Sequence, residues 1–150
     1  MHKKVKFSIR KMTINDIDAV LEVETDVFTT TWSKQAFIDE YNNSLTTYLL
    51  LCKEQQVIGY AGFWLVVDEA QVTNVAIKNF WQGLSLGRKL MQALIKEAQK
   101  QSAASISLEV RASNVIAQTL YFSLGFQQVG LRPAYYLDNQ EHALLMQLTI

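Results

Sequence analysis

The 150-residue sequence has few of the residues that build disulfide or metal scaffolds. Its single cysteine, Cys52, excludes an internal disulfide and a cysteine-rich metal site. Two histidines, His2 and His142, are too few for a structural zinc site, so we predict no metal. No apolar run approaches the roughly 20 residues of a membrane-spanning helix, and none follows the N-terminal Met-His-Lys-Lys-Val-Lys segment. The sequence therefore predicts a cytoplasmic protein with no signal peptide and no membrane partner.

The sequence also has no net charge and no segment with the composition of an interdomain linker. The 14 Lys and Arg residues cancel the 14 Asp and Glu residues, so the chain lacks the cationic surface of a non-specific nucleic-acid binder. We therefore predict no direct nucleic-acid partner. Pro133 is the only proline, and no Pro/Gly-rich stretch divides the chain. With 49% hydrophobic residues, the sequence predicts one domain over residues 1–150.

Apolar periodicity predicts seven strands and four helices. The strands are expected at 6–10, 46–52, 57–67, 70–77, 105–111, 126–130 and 143–150. The helices are expected to begin near Thr13, Ser33, Leu86 and Asn114. The resulting order β-α-α-β-β-β-α-β-α-β-β predicts an α/β (α+β) fold, in which helices flank a mixed sheet.

A glycine-containing loop, Gln82-Gly83-Leu84-Ser85-Leu86-Gly87-Arg88, lies between a predicted strand and a predicted helix. Small residues leave backbone N–H groups accessible at a helix N-terminus, where the helix dipole favours an anion. The loop is not a P-loop, because Gly83 and Gly87 are too close and no hydroxyl residue follows Lys89. It also lacks the GxGxxG dinucleotide pattern. Glycines at such positions can also serve packing alone.

This loop resembles the Q/R-x-x-G-x-G/A motif of the GCN5-related N-acetyltransferase (GNAT) superfamily, with Ser85 in place of the middle glycine. The resemblance implies that acetyl-CoA is the co-substrate and that its pyrophosphate binds residues 82–88. It also implies that the pantetheine arm pairs with the preceding strand, and that Asn114 caps a helix or contacts the coenzyme. The implied coenzyme-binding residues are Val75, Ala76, Ile77, Gln82, Gly83, Leu84, Ser85, Leu86, Gly87, Arg88 and Asn114.

The segment LEVRASNVIAQTLYFSLGF at 108–126 resembles one branch of that superfamily, the ribosomal-protein-alanine N-acetyltransferases (RimI). Residues 26–33 and the C-terminal hairpin also resemble this branch, so the likeness extends over nearly the whole chain. Thr31 replaces a usual proline, and His142 replaces a common Asp. The resemblance implies a mostly antiparallel central sheet. It also implies that the second substrate is the N-terminal alanine of a small-subunit ribosomal protein.

Two residues of this segment are suited to acetyl transfer. The acceptor amine must lose a proton before it attacks, and the departing thiolate gains from receiving one. Glu109 is the candidate general base and Tyr121 the candidate general acid. A phenol with an ordinary pKa near 10 can protonate a thiolate whose thiol has a pKa near 8.5 without a large shift. Without the resemblance, Glu109 reads as a surface carboxylate and Tyr121 as a core residue.

Amine basicity favours an α-amine over a lysine as the acceptor. An α-amine has a pKa of about 7.7–8.0 and lysine one of about 10.4, so neutralising them at pH 7 costs roughly 1 and 4–5 kcal/mol. One glutamate suits the easier acceptor, the α-amine. Two alternatives stay open: an enzyme of the same class acting on a small-molecule amine or polyamine, and a non-catalytic CoA-binding module.

A run of acids precedes Ser33. Between Met12 and Ser33 the sequence has five acidic residues and no basic one: Asp16, Asp18, Glu22, Glu24 and Asp26. They could form an acidic wall that steers a basic peptide into the acceptor groove. They could equally be the solvated face of an amphipathic helix. On the first hypothesis, reversing the charges at Glu24 and Asp26 raises KM for the peptide but not for acetyl-CoA.

Overall fold

The computed structural model describes residues 5–150, so residues 1–4, which include His2, lie outside it. The strands are β1 Phe7–Lys11, β2 Thr46–Lys53, β3 Gln56–Val66, β4 Glu69–Ile77, β5 Ser105–Arg111, β6 Gln127–Arg132 and β7 Ala143–Thr149. The helices are α1 Ile17–Val27, α2 Lys34–Asn42, α3 Leu86–Lys100 and α4 Val115–Ser123. The predicted order of elements is confirmed. No helix of the described chain is long and apolar enough to cross a membrane.

The seven strands form one sheet in the order β1-β2-β3-β4-β5-β7-β6. Every neighbouring pair is antiparallel except β4 and β5, which are parallel. This confirms the predicted mixed, mostly antiparallel sheet. Buried side chains form two clusters: one includes residues of α1 and α2, and the other includes residues of α3 and α4. The helices therefore cover both faces of the sheet.

The helix ends follow the sequence signals. The Asp16 carboxylate accepts a 2.8 Å hydrogen bond from the Thr13 backbone N–H, as in a capping box. The Ser33 hydroxyl accepts from Ala36 N–H at 3.1 Å and so caps α2. Gly125 follows α4 with a φ of +99°, a conformation that glycine adopts without strain. Local side-chain chemistry therefore sets where these helices begin and end.

Candidate active site

The two parallel strands at the centre of the sheet pair over only part of their length. The register joins Glu69 to Ser105, Ala70 to Ile106 and Gln71 to Ser107. Beyond these pairs, β4 and β5 continue without pairing to each other in the described chain. A register shift in the β3–β4 ladder makes Thr73 an extra residue on β4, and such a bulge bends its strand. The sheet is therefore split between β4 and β5.

A cavity of about 500 Å³ occupies this split. It is bounded by α1 and the segment that follows it, by both split strands, and by α4. Its lining includes Glu24, Trp32, Asn74, Glu109, Asn114 and Tyr121. Glu109 and Tyr121 come from different elements, β5 and α4, and the fold brings both to one cavity.

Glu109 lies at the junction of two cavities. Along β5, Leu108 and Val110 are buried, whereas Glu109 on the opposite face is partly exposed, as the alternation predicted. Glu109 also lines a second cavity of about 440 Å³ with Arg132 and Tyr135. Arg132 Nε lies 3.1 Å from Glu109 Oε1. The pKa of the Tyr135 phenol is raised, chiefly by a polar contact with the Glu109 carboxylate.

Tyr121 is buried in the main core beside Phe126, with ring centroids 5.7 Å apart. Burial raises the pKa of its phenol to about 12. The phenol is therefore a weaker acid in the free protein than an ordinary tyrosine, and its role as proton donor stays a prediction. Loss of water around the phenolate, rather than a neighbouring charge, is the main cause. Tyr121 consequently holds its proton firmly at neutral pH.

The loop between β6 and β7 is fastened to the end of β5. Arg111 stacks on the Tyr136 ring at 3.9 Å and forms an ion pair with Asp138 at 2.9 Å. The Glu141 carboxylate accepts from Ser113 N–H at 2.6 Å, and contacts with Ser113 lead the effects that lower its pKa to about 2. These contacts hold Tyr136 against the first cavity.

His142, which stands where the resembled branch commonly has Asp, belongs to the same loop. Its Nδ1 accepts a 2.9 Å hydrogen bond from Ala134 N–H. An Asp carboxylate is also an acceptor, so this substitution keeps the acceptor chemistry that shapes the loop.

The predicted coenzyme residues fall into two groups. Val75 and Asn114 line the first cavity, and the Asn114 side chain also caps α4 by accepting from Ala117 N–H at 3.1 Å. Residues 82–88 lie beyond the end of β4 and do not line that cavity. The side chains of Ala76 and Leu86 are buried in the core, so only their backbone can serve a ligand.

Within the loop, side chains stabilise the connection from β4 to α3. Gln82 Nε2 donates to the Ile77 carbonyl at 2.9 Å and to Asn79 Oδ1 at 3.2 Å. Arg88 donates to the Ser123 hydroxyl at 2.6 Å and so links α3 to α4. Ser85 directly precedes α3 with φ +61° and ψ +17°, the left-handed region. The serine therefore adopts the conformation for which a glycine is ordinarily used.

The acidic run before Ser33 is largely engaged in contacts within the described chain, and its role in steering a peptide stays a prediction. Glu24 is 2% exposed and points into the protein. The Asp26 carboxylate accepts from Asn79 N–H at 2.7 Å. The other three acids form ion pairs with residues from outside the run: Asp16 with Arg10, Asp18 with Lys34 and Glu22 with Lys78.

A buried polar network beside the cavity was missed by the sequence analysis. It joins Tyr48 of β2, Tyr60 of β3 and Asn74 of β4 to Glu24. Burial raises the pKa of both tyrosines. Buried tyrosine hydroxyls require polar partners, so two tyrosines in apolar strands were a usable signal, although not of which partner they find.

The split sheet, the cavity between β4 and β5 and the loop before α3 define the class of protein as a coenzyme-A-dependent N-acyltransferase. The chain belongs to the Acetyltransferase (GNAT) family, whose model matches residues 17–126. This membership confirms the predicted N-acetyltransferase class, with acetyl-CoA as co-substrate.

Known proteins resemble the chain over nearly its full length. A protein of Bacillus subtilis (strain 168), whose name gives bS18-alanine N-acetylation as a provisional activity, is 43% identical over 98% of both chains. The ribosomal protein bS18-alanine N-acetyltransferase of Escherichia coli (strain K12) is 33% identical over 95% of this chain and 97% of its own. The crystal structure of the Escherichia coli enzyme superposes with a TM-score of 0.90, covering 97% of this chain and 94% of that one. These likenesses confirm the resemblance predicted from the sequence.

Proposed function

We propose that this protein transfers the acetyl group of acetyl-CoA to the N-terminal alanine α-amine of ribosomal protein bS18. The observation that carries the proposal is that Glu109 and Tyr121 line one cavity at the split between β4 and β5. The names of the bS18-alanine N-acetyltransferases that the chain resembles support this acceptor. A ribosomal-protein acceptor is consistent with the cytoplasmic location expected from the sequence.

The coenzyme lies along the unpaired part of β4 in this proposal. Beyond Gln71, the backbone of β4 is not paired with β5 and can hydrogen-bond to the pantetheine amides, through Val75, Ala76 and Ile77. The pyrophosphate then reaches residues 82–88, where the first N–H groups of α3 have no partners within the helix. Asn114 lies at the cavity wall, with its side-chain oxygen already used by the α4 cap.

Acetyl transfer then takes place in one direct step at the split. Glu109 takes a proton from the α-ammonium group, directly or through water, and the neutral nitrogen attacks the thioester carbonyl carbon. The new C–N bond forms as the C–S bond breaks. The sulfur leaves with the bonding electron pair and receives the Tyr121 proton. The acetylated nitrogen loses its second proton to water. Solvent then reprotonates the Tyr121 phenolate and takes the proton from Glu109. Burial raises the pKa of Tyr121, so the phenol is protonated at neutral pH, and it gives up this proton only to the strong base that the departing thiolate provides.

The second cavity supports a peptide acceptor. It extends from Glu109 along β5 to Arg132, Tyr135 and the β6–β7 pair. The cavity has a volume of about 440 Å³. Beyond the reacting amine, it offers the room that the following residues of a peptide acceptor require. Glu109 lines both cavities, which supports a peptide N-terminus in the second cavity reaching a thioester in the first.

A peptide panel tests the proposal. Peptides that differ only in the first residue are incubated with acetyl-CoA, alongside a polyamine and a peptide with a blocked N-terminus and an internal lysine. We expect the fastest acetyl-CoA consumption with alanine first, and little with the blocked peptide. Faster turnover of the polyamine would favour a small-molecule acceptor, and no turnover with any amine would favour a CoA-binding module.

A further inference from the structure

Glu24 is a buried carboxylate on the wall of the first cavity. It lies in the last turn of α1 and is 2% exposed. Its Oε2 accepts a hydrogen bond from the Tyr60 hydroxyl, and the Trp32 backbone N–H lies 3.4 Å from Oε1. Among residues 5–150, no lysine, arginine or histidine nitrogen lies within 4.0 Å of it.

The hydrogen bonds around Glu24 all run in one direction. The Tyr48 hydroxyl donates to Asn74 Oδ1 at 3.2 Å, and Asn74 Nδ2 donates to the Tyr60 oxygen at 3.5 Å. Tyr60 in turn donates to Glu24. A chain of donors aligned in this way polarises each successive bond, so that the negative end lies on the carboxylate. Residues of three strands thus form one chain of donors, and its last member, Tyr60, donates to the Glu24 carboxylate.

The other buried carboxylate of the described chain is arranged differently. Glu97 on α3 has Lys11 Nζ at 2.9 Å, and this contact lowers its pKa. A buried carboxylate is costly unless a cation or several donors accompany it. Glu24 has donors but no cation from residues 5–150, and the residue lines the cavity that Glu109 shares. The missing partner is therefore one that a ligand can supply.

We propose that Glu24 binds the α-ammonium group of the acceptor before Glu109 removes its proton. The inference rests on the proposed function, because that reaction brings a primary ammonium group into this cavity. Glu24 selects a free, charged amine, and Glu109 then neutralises it for attack. The acetylated product has no charge at this nitrogen, so it loses the contact with Glu24 and leaves more readily.

Binding, rather than turnover, tests this role directly. The CoA-bound protein is titrated by calorimetry with an alanine-first hexapeptide carrying a free α-amine, and with the same peptide acetylated at that amine. We expect the wild type to bind the free-amine peptide about 10–100-fold more tightly, the range for hydrogen bonds to a charged group. Glu24→Gln keeps the shape of the side chain but removes its charge, and should reduce this preference to about threefold or less. Its affinity for CoA should stay unchanged.

Glu22→Gln is the matched control. It removes the same charge from the same helix, but Glu22 is exposed, pairs with Lys78 at 3.8 Å and does not line the first cavity. This variant should keep the full preference for the free amine. Equal loss in Glu22→Gln and Glu24→Gln would attribute the effect to general charge and overturn the proposal.

Two further outcomes separate the inference from the proposed function. If the wild type acetylates alanine-first peptides while Glu24→Gln keeps the full preference, the inference is wrong and the function stands. If the wild type neither binds nor acetylates these peptides, both are wrong. Should Glu24→Gln fail to fold, the wild type labelled with ¹³C-carboxyl glutamate decides the matter. The Glu24 resonance should shift with the free-amine peptide and not with the acetylated one; equal shifts would overturn the proposal.

Discussion

Arg132 Nε lies 3.1 Å from Glu109 Oε1, so the candidate base is paired with a cation from β6. The Arg132 side chain is 55% exposed, and an ion pair in contact with water contributes little to stability. Water can therefore replace the arginine at low cost when an acceptor enters. Both residues line the second cavity, which the acceptor occupies in the proposed function.

Removal of this cation should help a charged acceptor to bind. Arg132→Gln is expected to lower the peptide KM about two- to fivefold at low salt, because one positive charge near the incoming ammonium group is lost. The difference should shrink at about 0.5 M salt. Arg132→Lys keeps the charge and should resemble the wild type. A higher KM in Arg132→Gln would instead make Arg132 a binding group for the peptide.

Loss of either proton-transfer group should reduce turnover and spare coenzyme binding. Glu109→Gln and Tyr121→Phe preserve shape, and each should lower kcat by about 10²–10⁴-fold, the usual contribution of acid–base catalysis. The affinity for CoA, measured by calorimetry, should change little. The Glu109→Gln defect should shrink at high pH, where the α-amine is already neutral. Wild-type turnover in Glu109→Gln at neutral pH would contradict its role as the base.

Tyr121 should make stability depend on pH in alkaline solution. Its folded-state pKa of about 12 exceeds the ordinary value of about 10, so the folded protein favours the neutral phenol. This contribution is complete below about pH 10 and is lost as pH rises to about 12, at a cost of up to about 3 kcal/mol. The free energy of unfolding should therefore fall less steeply over this range in Tyr121→Phe than in the wild type. Parallel curves for the two proteins would contradict the raised pKa.

The order of strands and helices could be predicted because each element carries a local signal. On β5 the apolar residues Ile106, Leu108 and Val110 alternate with polar ones, and the structure buries these three on one face. Ser33 and Asn114 lie at helix starts because their side chains satisfy free N–H groups. Such signals depend on residues that are neighbours in sequence, so they can be interpreted without knowledge of tertiary contacts.

The state of Glu24 could have been predicted only in part. Ile17, Val20, Glu24 and Val27 share one helical stripe, so the position of Glu24 on the apolar face was readable. Its partner Tyr60 lies 36 residues away on another element, and that pairing depends on the packing of α1 against β3. For the same reason, the raised pKa of Tyr121 follows from burial by distant elements rather than from its own segment.

The loop before α3 offers a test of backbone strain. Ser85 has φ +61°, where a Cβ costs about 1–2 kcal/mol and glycine costs nothing sterically. Ser85→Gly should therefore be more stable than Ser85→Ala, because alanine keeps the strained Cβ. The greater freedom of glycine in the unfolded state offsets part of this gain and leaves a difference of about 1 kcal/mol. Neither variant should weaken CoA binding strongly if backbone N–H groups hold the pyrophosphate. Thermal unfolding compares the two, and equal stability would mean that the loop relaxes around the side chain.

Substitutions of Asp26 distinguish the acidic-wall hypothesis from a structural role for this carboxylate. Its carboxylate accepts from Asn79 N–H at 2.7 Å, and Asn79 in turn contacts Gln82 at the start of the loop before α3. The wall hypothesis requires the charge, so Asp26→Asn and Asp26→Ala should raise the peptide KM equally and leave CoA binding alone. The structure requires an acceptor oxygen, which asparagine retains and alanine lacks.

We therefore expect Asp26→Ala to weaken CoA binding several-fold and to lower the free energy of unfolding by about 1 kcal/mol, the usual net value of one hydrogen bond. Asp26→Asn should have a smaller effect on both, and Asp18→Ala, whose carboxylate pairs only with Lys34 among the described residues, should leave CoA binding unchanged. Calorimetry measures the affinity for CoA, and kinetics at low and high salt measure the peptide KM. A salt-dependent rise in peptide KM that is the same in Asp26→Asn and Asp26→Ala, with unchanged CoA affinity, would support the acidic-wall hypothesis. Because the Asp26 contact joins the end of α1 to the segment before α3, we expect the coenzyme, rather than the acceptor, to register its loss.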